Sequence, residues 1–462
     1  MLSLADAIIK NDLNSVTQQL RYGEDLNQLD EYGFTPLIEA AIANHLEMSR
    51  LLLSQGAYSN LPDITGGTAL HWAAENNNLT LCRLLLKYRA DPNAYTLAGQ
   101  PVLVMPTLRR QSPLRKLLIQ AGANEAFSQD FIHTKLLGHL YELIGTATIV
   151  DPKNQLVEVD FEGFYLEVTL GLIAESLSQF QNHFAARQLR RYSNITQLIV
   201  QVIDRAARLI QFQQYQLDET QHDTEISQLI AHDPLLIPVG YEGHAITFIR
   251  HGDIWVKCDR REDSRLYDNI MFYRMRHPEQ FTPTLVKHLI YQKQTSEFIN
   301  ETLDKLLGLE PLTELKVSAQ ISGNCSWANV EAAIPALFFL ILTQQQPDKK
   351  APSYYKTLAL NFFQHWREWN KQRALHYCIQ QYQKGDVIRK ACKAELLAAI
   401  LFQFSDAFKA SDRQQHHKIL SLLVGSPYEY ILKNYVKIYY FEQHTDRGKR
   451  FYHLMKEQGI IP

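Results

Sequence analysis

Thr68-Ala69-Leu70-His71-Trp72-Ala73-Ala74 echoes Thr35-Pro36-Leu37-Ile38-Glu39-Ala40-Ala41, a step of 33 residues. The register extends in both directions: Leu4, Leu37, Leu70 and Leu103 keep it, and so do Asn27, Asn60 and Asn93. Gly23, Gly56 and Gly122 stand where a helix must end in a left-handed turn. Arg89 takes that place in the third unit and marks a strained or altered turn. A period of this length predicts stacked helical units, none of which can bury its apolar face alone.

The signature resembles the ankyrin repeat, whose T-P-L-H-x-A motif is matched by Thr68 to Ala73 and in part by the outer units. The resemblance spans residues 1–126, about four repeats, with Ser3 to Ile8 as an N-terminal cap. The fourth unit is degraded, because Pro106 falls where helix should continue. The resemblance implies a protein-binding edge along the turns, with Asp30, Tyr32, Phe34, Asp63, Thr65 and Tyr95 as candidate contacts, beside Glu31, Ile64 and Thr96. It also assigns His71 to bonding the backbone of the turn, and Trp72 reads as packing.

At 462 residues, 46% apolar and 21% charged, the chain has room for two or three domains and a large core. A net charge of −2 argues against direct binding of nucleic acid by bulk electrostatics. Five scattered cysteines without CxxC spacing fit a reducing compartment and offer neither a disulfide framework nor a zinc site. The N-terminus lacks a signal-peptide pattern. Ala332 to Leu342, interrupted by Pro335, falls short of the roughly 20 apolar residues a membrane span needs. The chain therefore reads as soluble. No metal-ligand or phosphate-loop pattern occurs, His416-His417 included, so neither metal nor cofactor is implied.

A second stretch carries chemistry: Gln320-Ile321-Ser322-Gly323-Asn324-Cys325-Ser326-Trp327-Ala328-Asn329, running into apolar Val330 to Leu342. It reads as a turn with a thiol at the mouth of a buried helix. Free N–H groups and the helix dipole would there favour thiolate over thiol, which is a nucleophile's position. Gln320 and the Cys325 N–H are candidate donors to an oxyanion. A buried cysteine opening a core helix fits the same fragment.

Upstream, Leu156 to Phe161 and then Phe164, Leu166 and Val168 read as strands, followed by helical patterns at 172–184 and 195–210. Residues 244–249 and 254–260 read as a hairpin turning at Gly252-Asp253. That pairing brings His244 and Asp259 to one end of the sheet, where a carboxylate fixes the tautomer of a base. Cys258 points to the opposite face and reads as core.

The order His244, Asp259, Gln320, Cys325 is similar to papain-like cysteine peptidases of the adenoviral and ubiquitin-like-protein-protease type, a layout shared by bacterial effector acetyltransferases. The resemblance implies Cys325 as nucleophile, His244 as base, Asp259 as its orienter and Gln320 as oxyanion donor. Two departures stand out: Ser326 separates Cys325 from Trp327, and Asp253 or Asp263 are alternative acids. Taken whole, the chain resembles the type IV-secreted ankyrin effectors of Legionella. That implies delivery to the host cytoplasm, with the nucleus as a second compartment, capture of a host protein, and cleavage of a peptide or isopeptide bond. A non-catalytic scaffold and a thiol acyltransferase are the alternatives.

From Pro352 the pattern is helical, with 344–350 and 411–417 read as polar linkers. The expected organisation is an all-α ankyrin solenoid over 1–126, an α+β cysteine-protease-like domain over 127–343 and a helical region over 344–462.

Overall fold

A computed structural model describes residues 3–161, 166–212, 222–260, 270–318, 324–345, 351–404 and 410–461. The 33-residue period becomes four helix pairs: α1 (Leu4–Ile9) with α2 (Leu13–Arg21), α3 (Pro36–Ile42) with α4 (Leu46–Ser54), α5 (Ala69–Glu75) with α6 (Leu79–Lys87), and α7 (Val104–Leu108) with α8 (Ser112–Gln120). Thr35 starts α3 by accepting from the Ile38 N–H at 3.1 Å. In each pair the helices are joined by a left-handed residue, Asn11, Asn44, Asn77 or Arg110. The second helix of each pair ends on Gly23, Gly56, Arg89 or Gly122, all at positive φ. Arg89 occupies that region at φ 63°, as its place in the register predicts.

The asparagine at each repeat boundary stitches neighbours together. Asn27, Asn60 and Asn93 accept from the N–H groups of Tyr58, Asp91 and Asn124 at 2.7–2.8 Å. Each such bond is worth on the order of 1 kcal/mol. His71 accepts from the Thr68 N–H and reaches the Gln100 carbonyl, bridging two units. Burial holds its imidazole down at about 4, so it stays neutral and serves the turn. The fourth unit keeps only a five-residue first helix, consistent with Pro106.

Packing divides the chain into two compact units, residues 1–138, 143–161 and 377–462 in one and 139–142 with 162–376 in the other. The first includes most of α9 (Glu125–Leu140) and an antiparallel pair, β1 (Thr146–Val150) and β2 (Leu156–Asp160). The expected boundaries at 126 and 343 follow the chain, whereas packing groups the final helices with the repeats.

The second unit opens with α10 (Leu166–Asn182), so Leu166 and Val168 are helical rather than extended. Leu170, Ile173, Ala174, Leu177 and Phe180 follow at helical spacing and are all buried, and this longer apolar face overrides the local alternation. Phe164 lies outside the described residues. Next come α11 (Ser193–Gln211) and α12 (Asp223–Ile230). An antiparallel meander of β3 (Leu235–Tyr241), β4 (His244–His251), β5 (Ile254–Cys258), β6 (Ile270–Met275) and β7 (Leu309–Leu315) forms the sheet, with α13 (Pro283–Tyr291) and α14 (Leu303–Leu307) between its last two strands. Glu242-Gly243 and Gly252-Asp253 are its two-residue turns, with positive φ at Glu242, Gly243 and Gly252.

Helix α15 (Cys325–Gln345) packs on β4. Every residue from Trp327 to Leu342 is buried, and each large apolar side chain contributes roughly 1.5–3 kcal/mol by leaving water. By length and composition the helix could cross a membrane, but 94% of its most apolar window is buried inside the protein, as in a core helix. Then follow α16 (Pro352–Lys384), α17 (Val387–Gln403), α18 (Ala410–Leu423), α19 (Glu429–Val436) and α20 (Asp446–Glu457). The expected linker at 411–417 is part of α18, because Gln415, His416, Ile419, Leu420 and Leu423 make a buried face.

Candidate active site

The β4–β5 pairing sets Thr247 opposite Cys258. Continued by one residue, it places Asp259 opposite Ile246, so Asp259 and His244 emerge on one face as diagonal neighbours. Their side chains meet, with His244 Nε2 at 3.0 Å from Asp259 Oδ1. The edge of the ring rests against Tyr241, centroids 5.4 Å apart. With Nε2 engaged by the carboxylate, Nδ1 is the ring nitrogen left to face a second partner.

That partner is the thiol of Cys325, which opens α15 and hydrogen-bonds the His244 ring. The backbone N–H groups of Ala245 and Ser326 also point at the sulfur. Burial would raise the thiol, but the His244 ring and the two N–H groups outweigh it and bring Cys325 below its ordinary value. Burial likewise opposes charge on His244, yet Asp259 and Cys325 push it up to about 9. The two shifts belong to one coupled pair, in which each group favours the charged form of the other. Cys325 is half-buried, whereas Cys82, Cys258, Cys378 and Cys392 are buried and their thiols are all pushed up.

Behind these groups lies a layer of buried polar contacts. Asn329, one turn along α15 from Cys325, accepts from the Arg260 N–H at 2.8 Å and donates to the Ala245 carbonyl. The Arg260 side chain bonds the carbonyl and hydroxyl of Ser318 and Glu331 Oε2. Asn324, just before Cys325, is tied to His139 by a 2.6 Å bond from its Oδ1 and by donation to the His139 carbonyl. Trp327 stacks on the same His139 ring at 5.7 Å and is buried.

Gln320 and Asp263 lie outside the described residues. Asp253 sits in the turn at the opposite end of β4, 3.4 Å from Arg274, and so does not face His244. Along the repeats, Tyr32 is 65% exposed and Thr65 is exposed, while Asp30 and Asp63 are occupied by their own turns. Asp30 accepts from the N–H groups of Tyr32 and Phe34, and Asp63 from those of Thr65 and Gly67 and from the Trp72 indole. Phe34 packs edge-on against Trp72, and Tyr95 against Phe127. Sequence reading passed over Leu97, 79% exposed and one period after Ile64 at 65%; the 33-residue register itself pointed to it.

Residues 4–96 match the family model for ankyrin repeats, in three copies. No curated protein sequence matches the chain. The solved structure of the Legionella effector AnkH is similar over the whole length, with a TM-score of 0.87 and 38% identity, covering 100% of this chain and 98% of that one.

Proposed function

The chain belongs to the family of the Legionella effector AnkH, and from that premise we propose a secreted effector that captures a host protein on its ankyrin edge and cleaves a peptide or isopeptide bond at Cys325. Recruitment is assigned to 1–126, chemistry to 127–343 and a supporting helical role to 344–462, acting in the host cytoplasm or nucleus. The observation that carries the chemistry is the continuous line Asp259, His244, Cys325, in which each side chain bonds the next. A thiol-bearing helix laid against an antiparallel sheet, with histidine and acid on adjacent strands, supports a papain-like layout.

In the proposed reaction the Cys325 thiolate adds to the substrate carbonyl carbon. The Cys325 N–H and Gln320 are the proposed donors to the oxyanion. As the tetrahedral adduct collapses, the C–N bond breaks and the His244 imidazolium passes its proton to the departing amine. Neutral His244 then takes a proton from water as its oxygen attacks the thioester; the C–S bond breaks, the acid departs and loses its remaining proton to solvent, and the thiolate is left beside the protonated ring as at the start. Asp259 holds the ring and stabilises its charged form throughout.

A thiol-directed acyl probe tests this reading. Cys325 should be labelled in the native protein and no label should appear in Cys325→Ala. Equal labelling of the two would remove the nucleophile and leave a recruiting scaffold. Labelling only by an acyl-coenzyme A, without hydrolysis of peptide or isopeptide probes, would assign the same thioester to acyl transfer.

A further inference from the structure

Extending the β4–β5 register puts Ala245 opposite Arg260, two residues beyond the last paired residues Thr247 and Cys258. The Arg260 N–H and the Ala245 carbonyl do not close the next rung between themselves. Asn329 stands between them, its Oδ1 accepting from the N–H at 2.8 Å and its Nδ2 donating to the carbonyl. A planar amide offers one acceptor and one donor side by side, so it can bridge a strand N–H and a strand C=O as a peptide group would. A carboxylate only accepts and a hydrocarbon does neither, whereas a hydroxyl has both functions but on a single atom, without the side-by-side spacing of the amide.

The inserted amide touches the neighbours of each reacting group. Ala245 follows His244, Arg260 follows Asp259, and Asn329 shares the Cys325 face of α15, one turn away. The Ala245 N–H also points at the sulfur. Asn329 is 1% exposed and Arg260 1%, so neither bond competes with water. We infer that Asn329 is the positioning residue of the site: its amide splits the end of the β4–β5 ladder and fixes the spacing of His244 and Asp259 against the mouth of α15. The inference rests on the proposed Cys325 chemistry, and it adds a residue that touches none of the reacting atoms. His244 is faced by Asp259, Cys325 and the Tyr241 ring, and Asn329 makes no contact that would change its charge directly.

The test is the rate of iodoacetamide alkylation of Cys325, read by mass spectrometry of its peptide in the full chain from pH 5.5 to 10. The native protein should react well below the pH at which a free thiol ionises. Asn329→Ala should lose at least about tenfold of the rate at pH 6.5, the scale expected when reacting groups are displaced by about an ångström. At pH 10, where thiolate forms without the imidazole, it should match the native rate. Asn329→Ser, which offers one polar atom on a shorter arm in place of the two of the amide, should fall between. If Asn329→Ala loses its circular dichroism spectrum, the serine variant decides alone. Folded variants with the native pH midpoint would overturn the inference, whatever their melting temperature. A native Cys325 that titrates like a free thiol would instead sink the underlying reading of the site.

Discussion

Arg260 Nη1 lies 3.1 Å from Glu331 Oε2, with side-chain exposures of 2% and 1%. Glu331 also faces Arg367 Nε at 3.3 Å, and Glu142 approaches both guanidiniums, at 3.7 Å from Arg260 and 2.7 Å from Arg367. A buried cation, Arg260, and a partly buried one, Arg367, thus share two carboxylates directly behind the strand end that carries Asp259. Removing Glu331 leaves both cations to Glu142 alone, and a buried charge stripped of its partner costs about 3–5 kcal/mol. Glu331→Ala should lower the urea midpoint of unfolding by that scale. A loss under about 1 kcal/mol would show that water reaches the cluster.

In the proposed site Asp259, 3.0 Å from His244 Nε2, favours the proton on the ring of the Cys325–His244 pair. In the folded pair the ring is raised and the thiol lowered together, each favouring the charged form of the other. Asp259→Asn keeps the shape and removes the charge that favours imidazolium. Alkylation of Cys325 at pH 7 should drop about tenfold and recover above pH 9. An unchanged rate at pH 7 would mean that the helix end and the Ala245 and Ser326 N–H groups alone hold the thiolate.

Arg89 is the one residue that breaks the glycine pattern at the ends of the second repeat helices, and it stands at φ 63°. Its carbonyl is held by the Asn60 side chain at 2.9 Å, so the turn keeps its shape whatever side chain it bears. The left-handed conformation costs a residue with a Cβ about 1–2 kcal/mol, partly offset by the greater freedom glycine gains on unfolding. Arg89→Gly should therefore stabilise the protein by about 0.5–1 kcal/mol. A urea midpoint that falls would show the arginine side chain to be holding a neighbour.

That Arg89 could be read from sequence explains what was legible and what was not. A 33-residue period samples each backbone position several times, so one departure among Gly23, Gly56 and Gly122 stands out. The β4–β5 hairpin and the thiol at a helix start were legible for a similar reason, since turn residues and apolar runs are local. Leu166 and Val168 misled because period two over a few residues cannot be told from the start of the long amphipathic α10. The helix across 411–417 was hidden because its polar residues precede the apolar ones that anchor it. Asn329 and Arg260 carried no local mark, because their roles exist only once β4, β5 and α15 have met.

At the far end of the same strand, His251 offers a pH-dependent prediction. Its Nδ1 lies 2.8 Å from Asp233 Oδ1 and its Nε2 2.7 Å from Gln344 Oε1, joining the β4–β5 turn to the last turn of α15. Both ring nitrogens thus face oxygen acceptors, and only the doubly protonated ring can donate to both. The hydrogen bond to Asp233 raises His251 above its ordinary value, with burial and Arg250 opposing. Burial would raise Asp233, but His251, the Gly252 N–H and Arg250 bring it below its ordinary value. A raised histidine contributes stability that is complete below its unfolded value of 6.5 and is lost as pH climbs through the folded one. A lowered aspartate contributes above 3.8 and fades as pH falls through its folded value. Native protein should therefore lose about 1.5–3 kcal/mol relative to His251→Asn between pH 6 and the alkaline range, the worth of a charge-assisted hydrogen bond. Urea midpoints of the two proteins at pH 6 and pH 9 measure the difference, and parallel curves would mean the ring stays neutral and Gln344 donates to it.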